Sequence, residues 1–157
     1  MKISLDKYDK IWEVISILLL LTIVIILIYS LPTLPDTIPI HFNFEGKADG
    51  FGSKYMLWVV FGIAFLVYTI FTIISFRPGL YKSRMTENNI QEQYVLTSKM
   101  TRTMKMYILI FFVILSFFMV KTAQGQWTEH TPFLILIIFA LILPPTFYYL
   151  IKLSKVR

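Results

Sequence analysis

The sequence contains no cysteine, which excludes disulfide frameworks, thiolate catalysis and cysteine-ligated zinc or iron–sulfur centres. Histidine is scarce, with only His41 and His130. No HExxH, GxSxG or phosphate-binding glycine loop occurs, so hydrolytic catalysis lacks its usual residues and no cofactor is expected. Charge is also sparse, at 15% Asp, Glu, Lys and Arg. The interiors of the long apolar runs hold none of it, and Glu13 falls in the first turn of the first run. Ion-coupled transporters place ionisable groups at mid-membrane and commonly carry inverted repeats. A pump or secondary transporter acting alone is therefore not expected.

Apolar residues make up 57% of the chain, above the share in an ordinary soluble domain. They gather in runs at 11–31, 56–76, 104–120 and 132–151, the third being the shortest. A helix needs about 20 residues to cross about 30 Å of hydrocarbon, and bilayers leave backbone groups no partner outside a helix. The composition predicts one all-α membrane domain over 1–157 with four transmembrane helices. The first run is too long for a signal peptide, and "YSLPTLPD" after it lacks a small-x-small cleavage pattern. It reads as an uncleaved anchor.

Lys and Arg set the orientation. Lys2, Lys7 and Lys10 precede the first run. Arg77, Lys82, Arg84, Lys99 and Arg102 lie between the second and third, with Lys105 at the third's inner edge, and Lys152, Lys155 and Arg157 follow the fourth. The two remaining connections hold only Lys47, Lys54 and Lys121. Both termini and the 77–105 arm are thus expected in the cytoplasm. The 32–55 loop and the 121–131 connection are expected outside. Tyr and Trp near the run ends fit aromatic belts. Anionic headgroups account for the net charge of +6 without nucleic acid.

Within the arm, "RPG" at 77–79 ends the second helix, and Thr86 can cap a new one. No Pro or Gly interrupts 86–120, so a single helix of roughly 52 Å is expected, more than a bilayer requires. Leu96, Met100, Thr103 and Tyr107 form an apolar stripe. Lys99, Arg102 and Lys105 form a basic stripe beside it, suited to headgroups or to a cytoplasmic regulator. Gly62, Thr69, Thr72 and Ser75 form a narrow small-residue face for helix packing. Pro144 and Pro145 are expected to kink the fourth helix. A bundle this small suits a homo-oligomer, although no helix face specifies one.

The 32–55 loop is the polar exception. Pro35 and Pro39 hold their neighbours extended, so Ile38, Ile40, Phe42 and Phe44 alternate with His41, Asn43 and Glu45 across two faces. Gly46, Gly50 and Gly52 mark turns, with Asp49-Gly50 a turn pair. The loop reads as a structured cap. His41, Asn43, Glu45 and Asp49 are its candidate ligand contacts, and Phe42 and Phe44 its apolar platform. Imidazole and carboxylate also bind metals, but the spacing matches no established metal loop, and no metal is assigned.

"LPDTIPIHFNFEGKADGFGSK" (34–54) resembles the signature loop of SdpI-like bacterial membrane proteins. The matching letters are Leu34-Pro35, Ile38-Pro39, His41-Phe42-Asn43, Gly46, Asp49-Gly50 and Gly52-Ser53-Lys54. The resemblance extends from about 31 to 107 and implies a protein of the bacterial cytoplasmic membrane. Relatives confer immunity to a secreted toxic peptide, and some bind a repressor at the membrane. SdpI-like immunity proteins are longer, so this chain looks like a stand-alone version of their N-terminal domain. The resemblance implies a non-enzymatic immunity or sensing protein whose outer loop meets a peptide or lipid ligand. An accessory subunit of a transporter or envelope complex is the alternative, and a small metal-dependent membrane enzyme the third reading.

Overall fold

A computed structural model describes residues 5–43, 48–77, 89–126 and 131–156, with the backbone alone at 131–135 and 138. Among these residues the chain forms helix α1 (Lys7–Ser30), a 3-10 turn (Leu31–Thr33), strands β1 (Thr37–Phe42) and β2 (Ala48–Ser53), and helices α2 (Met56–Phe76), α3 (Ile90–Ala123) and α4 (Thr131–Lys155). Helices α1, α2 and α3 are each long and apolar enough to cross a membrane, and α4 is a fourth helix. The antiparallel β1–β2 hairpin departs from the all-α expectation.

Local chemistry sets the helix ends. Asp6 caps α1 in a reciprocal box: Asp9 N–H donates to Asp6 Oδ1 at 2.8 Å, and Asp6 N–H donates to Asp9 Oδ2 at 3.1 Å. Helix α3 ends where Gly125 adopts φ 72°. Gln126 N–H there reaches the Lys121 carbonyl at 3.0 Å and Gly125 N–H the Thr122 carbonyl at 2.9 Å. This pattern satisfies carbonyls that the last turn leaves open. Helix α4 continues through Pro144 and Pro145, and the Thr146 hydroxyl bonds the Ile142 carbonyl at 2.6 Å.

Helix α3 is the axis, with the other three packed around it. Contacts advance together along both chains, from Asp6 with Lys99 through Asp9 with Arg102 to Glu13 with Lys105, so α1 and α3 run parallel. Helices α2 and α4 run the opposite way, since Ser98 meets Ser75 and Thr103 meets Tyr149. The α1–α3 seam repeats every seven residues. On α1 it comprises Asp9, Glu13, Ser16, Leu20, Ile23 and Leu27, all buried except the half-buried Glu13. On α3 it comprises Ser98, Arg102, Lys105, Leu109, Phe112, Ser116 and Met119, Phe112 being partly buried. Such spacing keeps one face of each helix toward the other. Much of the outward surface of α1 and α2 is apolar, including Leu18, Leu21, Ile25, Ile63, Leu66 and Ile70. A polar seam inside an apolar exterior suits a lipid surround.

The small-residue face is only partly used. Ser75 is fully buried against α3, but Gly62 faces open space. Ala64 is the small residue buried in its place.

Candidate functional site

Two polar constellations occupy opposite ends of α3. The first is the hairpin. Lys54 closes its stem, donating through Nζ to the Leu34 carbonyl at 3.3 Å and pairing with Asp36 at 3.1 Å. Leu34 and Ile38 are buried among Leu27, Leu57, Met119 and Val120, and Phe42 meets the Phe118 ring edge-on at 5.5 Å. The hairpin is therefore fixed to the bundle by one face. On its other face His41 Nδ1 lies 2.5 Å from Asp49 Oδ1, with both side chains solvent-exposed. Phe51 is 62% exposed two residues from Asp49.

Glycine permits this close pairing. A Cβ at Gly50 would lie 2.8 Å from His41 Cβ, and one at Gly52 would lie 2.6 Å from Ile40 Cδ1. The register shifts on both sides of His41, and such irregularities re-aim a side chain.

His41 and Asp49 are thus brought together as candidate contacts, and Asn43, two residues after His41, is half-buried. Phe42 packs on the bundle, on the face opposite His41 that the strand alternation gives it, and Phe51 is the exposed aromatic among the described hairpin residues. Asp49-Gly50 is not a turn pair, because both residues lie within β2. Phe44, Glu45 and Gly46 lie outside the described residues, as do Thr86 and His130. Among the described residues no three His, Asp or Glu side chains gather where one metal ion could sit.

The second constellation lies two turns into α1. Lys105 Nζ donates to Glu13 Oε2 at 2.6 Å and to Thr72 Oγ1 at 3.0 Å. Arg102 Nε donates to Glu13 Oε1 at 3.1 Å, and its Nη1 lies 3.7 Å from Asp9 Oδ1 and donates to Ser98 Oγ. Its guanidinium lies 5.0 Å from the centre of the Phe76 ring, and Lys105 Nζ lies 4.8 Å from that of Tyr68. Two acids thus balance two bases, and both bases have no solvent exposure. Among the described residues Arg102 Nη2 is a fully buried atom of the cluster without a hydrogen-bond partner. Arg102 and Lys105 were expected to face headgroups or a regulator. They face α1 and α2 instead, because the seven-residue repeat carries them into the seam.

Lys99, the third residue of that basic stripe, is half-exposed and pairs with Asp6 at 2.6 Å. This hydrogen bond holds the Asp6 carboxyl below its ordinary value of 3.8. Nor is the start of α3 a free arm: Asn89 and Gln93 donate to the Val156 carbonyl beyond α4.

The family model described as "Domain of unknown function (DUF1648)" matches residues 17–67. That stretch holds most of α1, the whole hairpin and half of α2. No curated protein and no solved structure matches the chain.

Proposed function

We propose that this chain is a non-enzymatic, SdpI-like receptor or immunity protein of the bacterial cytoplasmic membrane. Four helices span the bilayer, both termini lie in the cytoplasm, and the hairpin meets an extracellular peptide or lipid. One observation carries this reading. The hairpin is sunk into the bundle on one side while the other side presents the bonded His41–Asp49 pair beside an exposed Phe51. A surface held by its own packing binds without first paying to become ordered. The pair offers hydrogen bonds and charge, and Phe51 offers apolar contact.

The same helix suggests how binding is felt within. Phe118, which holds Phe42, lies 16 residues along α3 from Arg102, or about 24 Å. A ligand that shifts the hairpin moves the rod that carries the buried ion cluster, and through it the cytoplasmic ends of α1 and α4. The match over residues 17–67 supports treating the hairpin and its flanking helices as one unit.

Native mass spectrometry of protein gently extracted from its own membrane tests the reading. A bound peptide or lipid is expected on the unaltered chain and not on His41→Ala with Asp49→Ala. Retention by that variant would remove the outer pair from the mechanism.

A further inference from the structure

A pocket of about 440 Å³ opens between the starts of α1 and α3 and the end of α4, within the size range of small-molecule sites. Its α1 wall is aromatic, from Tyr8 and Trp12, and Tyr148 and Tyr149 face it from α4. Asp9 and Lys99 line it but are committed elsewhere, to the α1 cap with Arg102 and to Asp6.

Two charges remain. Glu92 lies in the first turn of α3, and Lys152 in the last turn of α4 with its Nζ 4.7 Å from the Tyr148 ring centre. Among the described residues neither belongs to an ion pair. The pocket therefore offers one free carboxylate beside two aromatic walls, and one free ammonium near a second, half-exposed lysine.

We infer that this pocket binds the headgroup of an amine-bearing zwitterionic phospholipid. Ammonium groups are attracted to carboxylates and to the faces of Trp and Tyr rings, which Glu92, Trp12 and Tyr8 provide. Phosphate takes the lysine side, where Lys152 donates and the half-exposed Lys99, though bonded to Asp6, adds a nearby positive charge. An anionic headgroup without the amine would use the lysines but meet Glu92 as a like charge. The inference rests on α1 and α4 spanning the bilayer, as proposed above, which brings the pocket to the level of the inner headgroups. It does not depend on the hairpin's having a ligand.

The test uses the full chain reconstituted with equal amounts of phosphatidylethanolamine and phosphatidylglycerol. Retained lipid is then counted by native mass spectrometry after brief detergent extraction. The unaltered protein is expected to retain the ethanolamine lipid about fivefold over the glycerol lipid, the size of one charge contact near a membrane surface. Glu92→Gln should abolish that preference, while Lys152→Gln should lower retention of both lipids. Equal retention by the unaltered protein, or a preference for the glycerol lipid, overturns the inference whatever the variants do. So does a preference that survives Glu92→Gln.

Discussion

Lys105 Nζ lies 2.6 Å from Glu13 Oε2, although 92 positions separate the two residues in the chain. Lys105 has no solvent exposure, and Thr72 of α2 holds the same ammonium from the other side. The contact joins three helices at one point. A charge at this depth is costly unless it is paired, so the acids of α1 and the bases of α3 require one another.

Removing one partner should therefore cost more than removing both. Glu13→Gln should destabilise the protein by about 3–5 kcal/mol, the usual penalty for stranding a buried charge. Glu13→Gln combined with Lys105→Met should recover most of that loss. Thermal unfolding in one fixed detergent measures both. A double variant as unstable as the two single variants combined would show that the residues act independently.

The Asp6–Lys99 pair should show itself in the acid limb of stability. Lys99 holds the Asp6 carboxyl below 3.8 in the folded protein. The pair's stabilisation is thus present above 3.8 and is lost as pH falls through the lower, folded value. Asp6→Asn keeps a good helix cap but removes the charge. It should lower the unfolding temperature at pH 7, and the gap should close as pH falls below 3.8. A gap that persists in acid would mean that the charge pair is not what Asp6 contributes.

Gly50 and Gly52 should differ under substitution. A methyl at position 52 meets Ile40 Cδ1, the end of a flexible chain, whereas one at 50 meets His41 Cβ, fixed to the opposite strand. Gly50→Ala should cost about 1–3 kcal/mol as overpacking does, and Gly52→Ala clearly less. Hydrogen exchange across β1 and β2 would register the difference as faster exchange in the first variant. Equal protection would mean that the strands part as easily at His41 as at Ile40.

Phe42 anchors the hairpin, and His41 does not. Phe42→Ala should cost about 3–5 kcal/mol, as large-to-small changes do at buried aromatics, reduced in proportion to its partial exposure. His41→Ala should stay within about 1 kcal/mol, since its contact with Asp49 is solvent-exposed. Comparing the unfolding temperatures of the two variants separates the face that anchors from the face that is free to bind.

Much of this architecture was legible in the sequence because lipid imposes a simple rule. The apolar run Met56–Phe76 coincides with α2, and the unbroken stretch before Val120 is one helix through Ala123. The extended segment around Ile38–Phe42 was legible from its alternation. Its partner was not, since "ADGFGS" is poor in strand-forming residues; β2 exists because its glycines allow β1 to approach. The ion cluster was hidden for a different reason. Arg102 and Lys105 were assigned to a water-facing connection, whereas they continue a seven-residue repeat through Leu109, Phe112 and Ser116. Asp9 and Glu13 extend the matching repeat of α1 through Ser16 and Leu20. Reading both repeats past the apolar limits would have paired the charges.

The receptor account stands or falls on which side of the membrane the hairpin occupies. The chain has no cysteine, so a single introduced thiol reports its own position without background. Phe51→Cys, on the exposed hairpin face, and Ser154→Cys, on the exposed end of α4, should be treated in intact cells with a membrane-impermeant maleimide. The account expects Phe51→Cys to be labelled in intact cells and Ser154→Cys only after permeabilisation. Labelling of Ser154→Cys alone, or of both from outside, would contradict it.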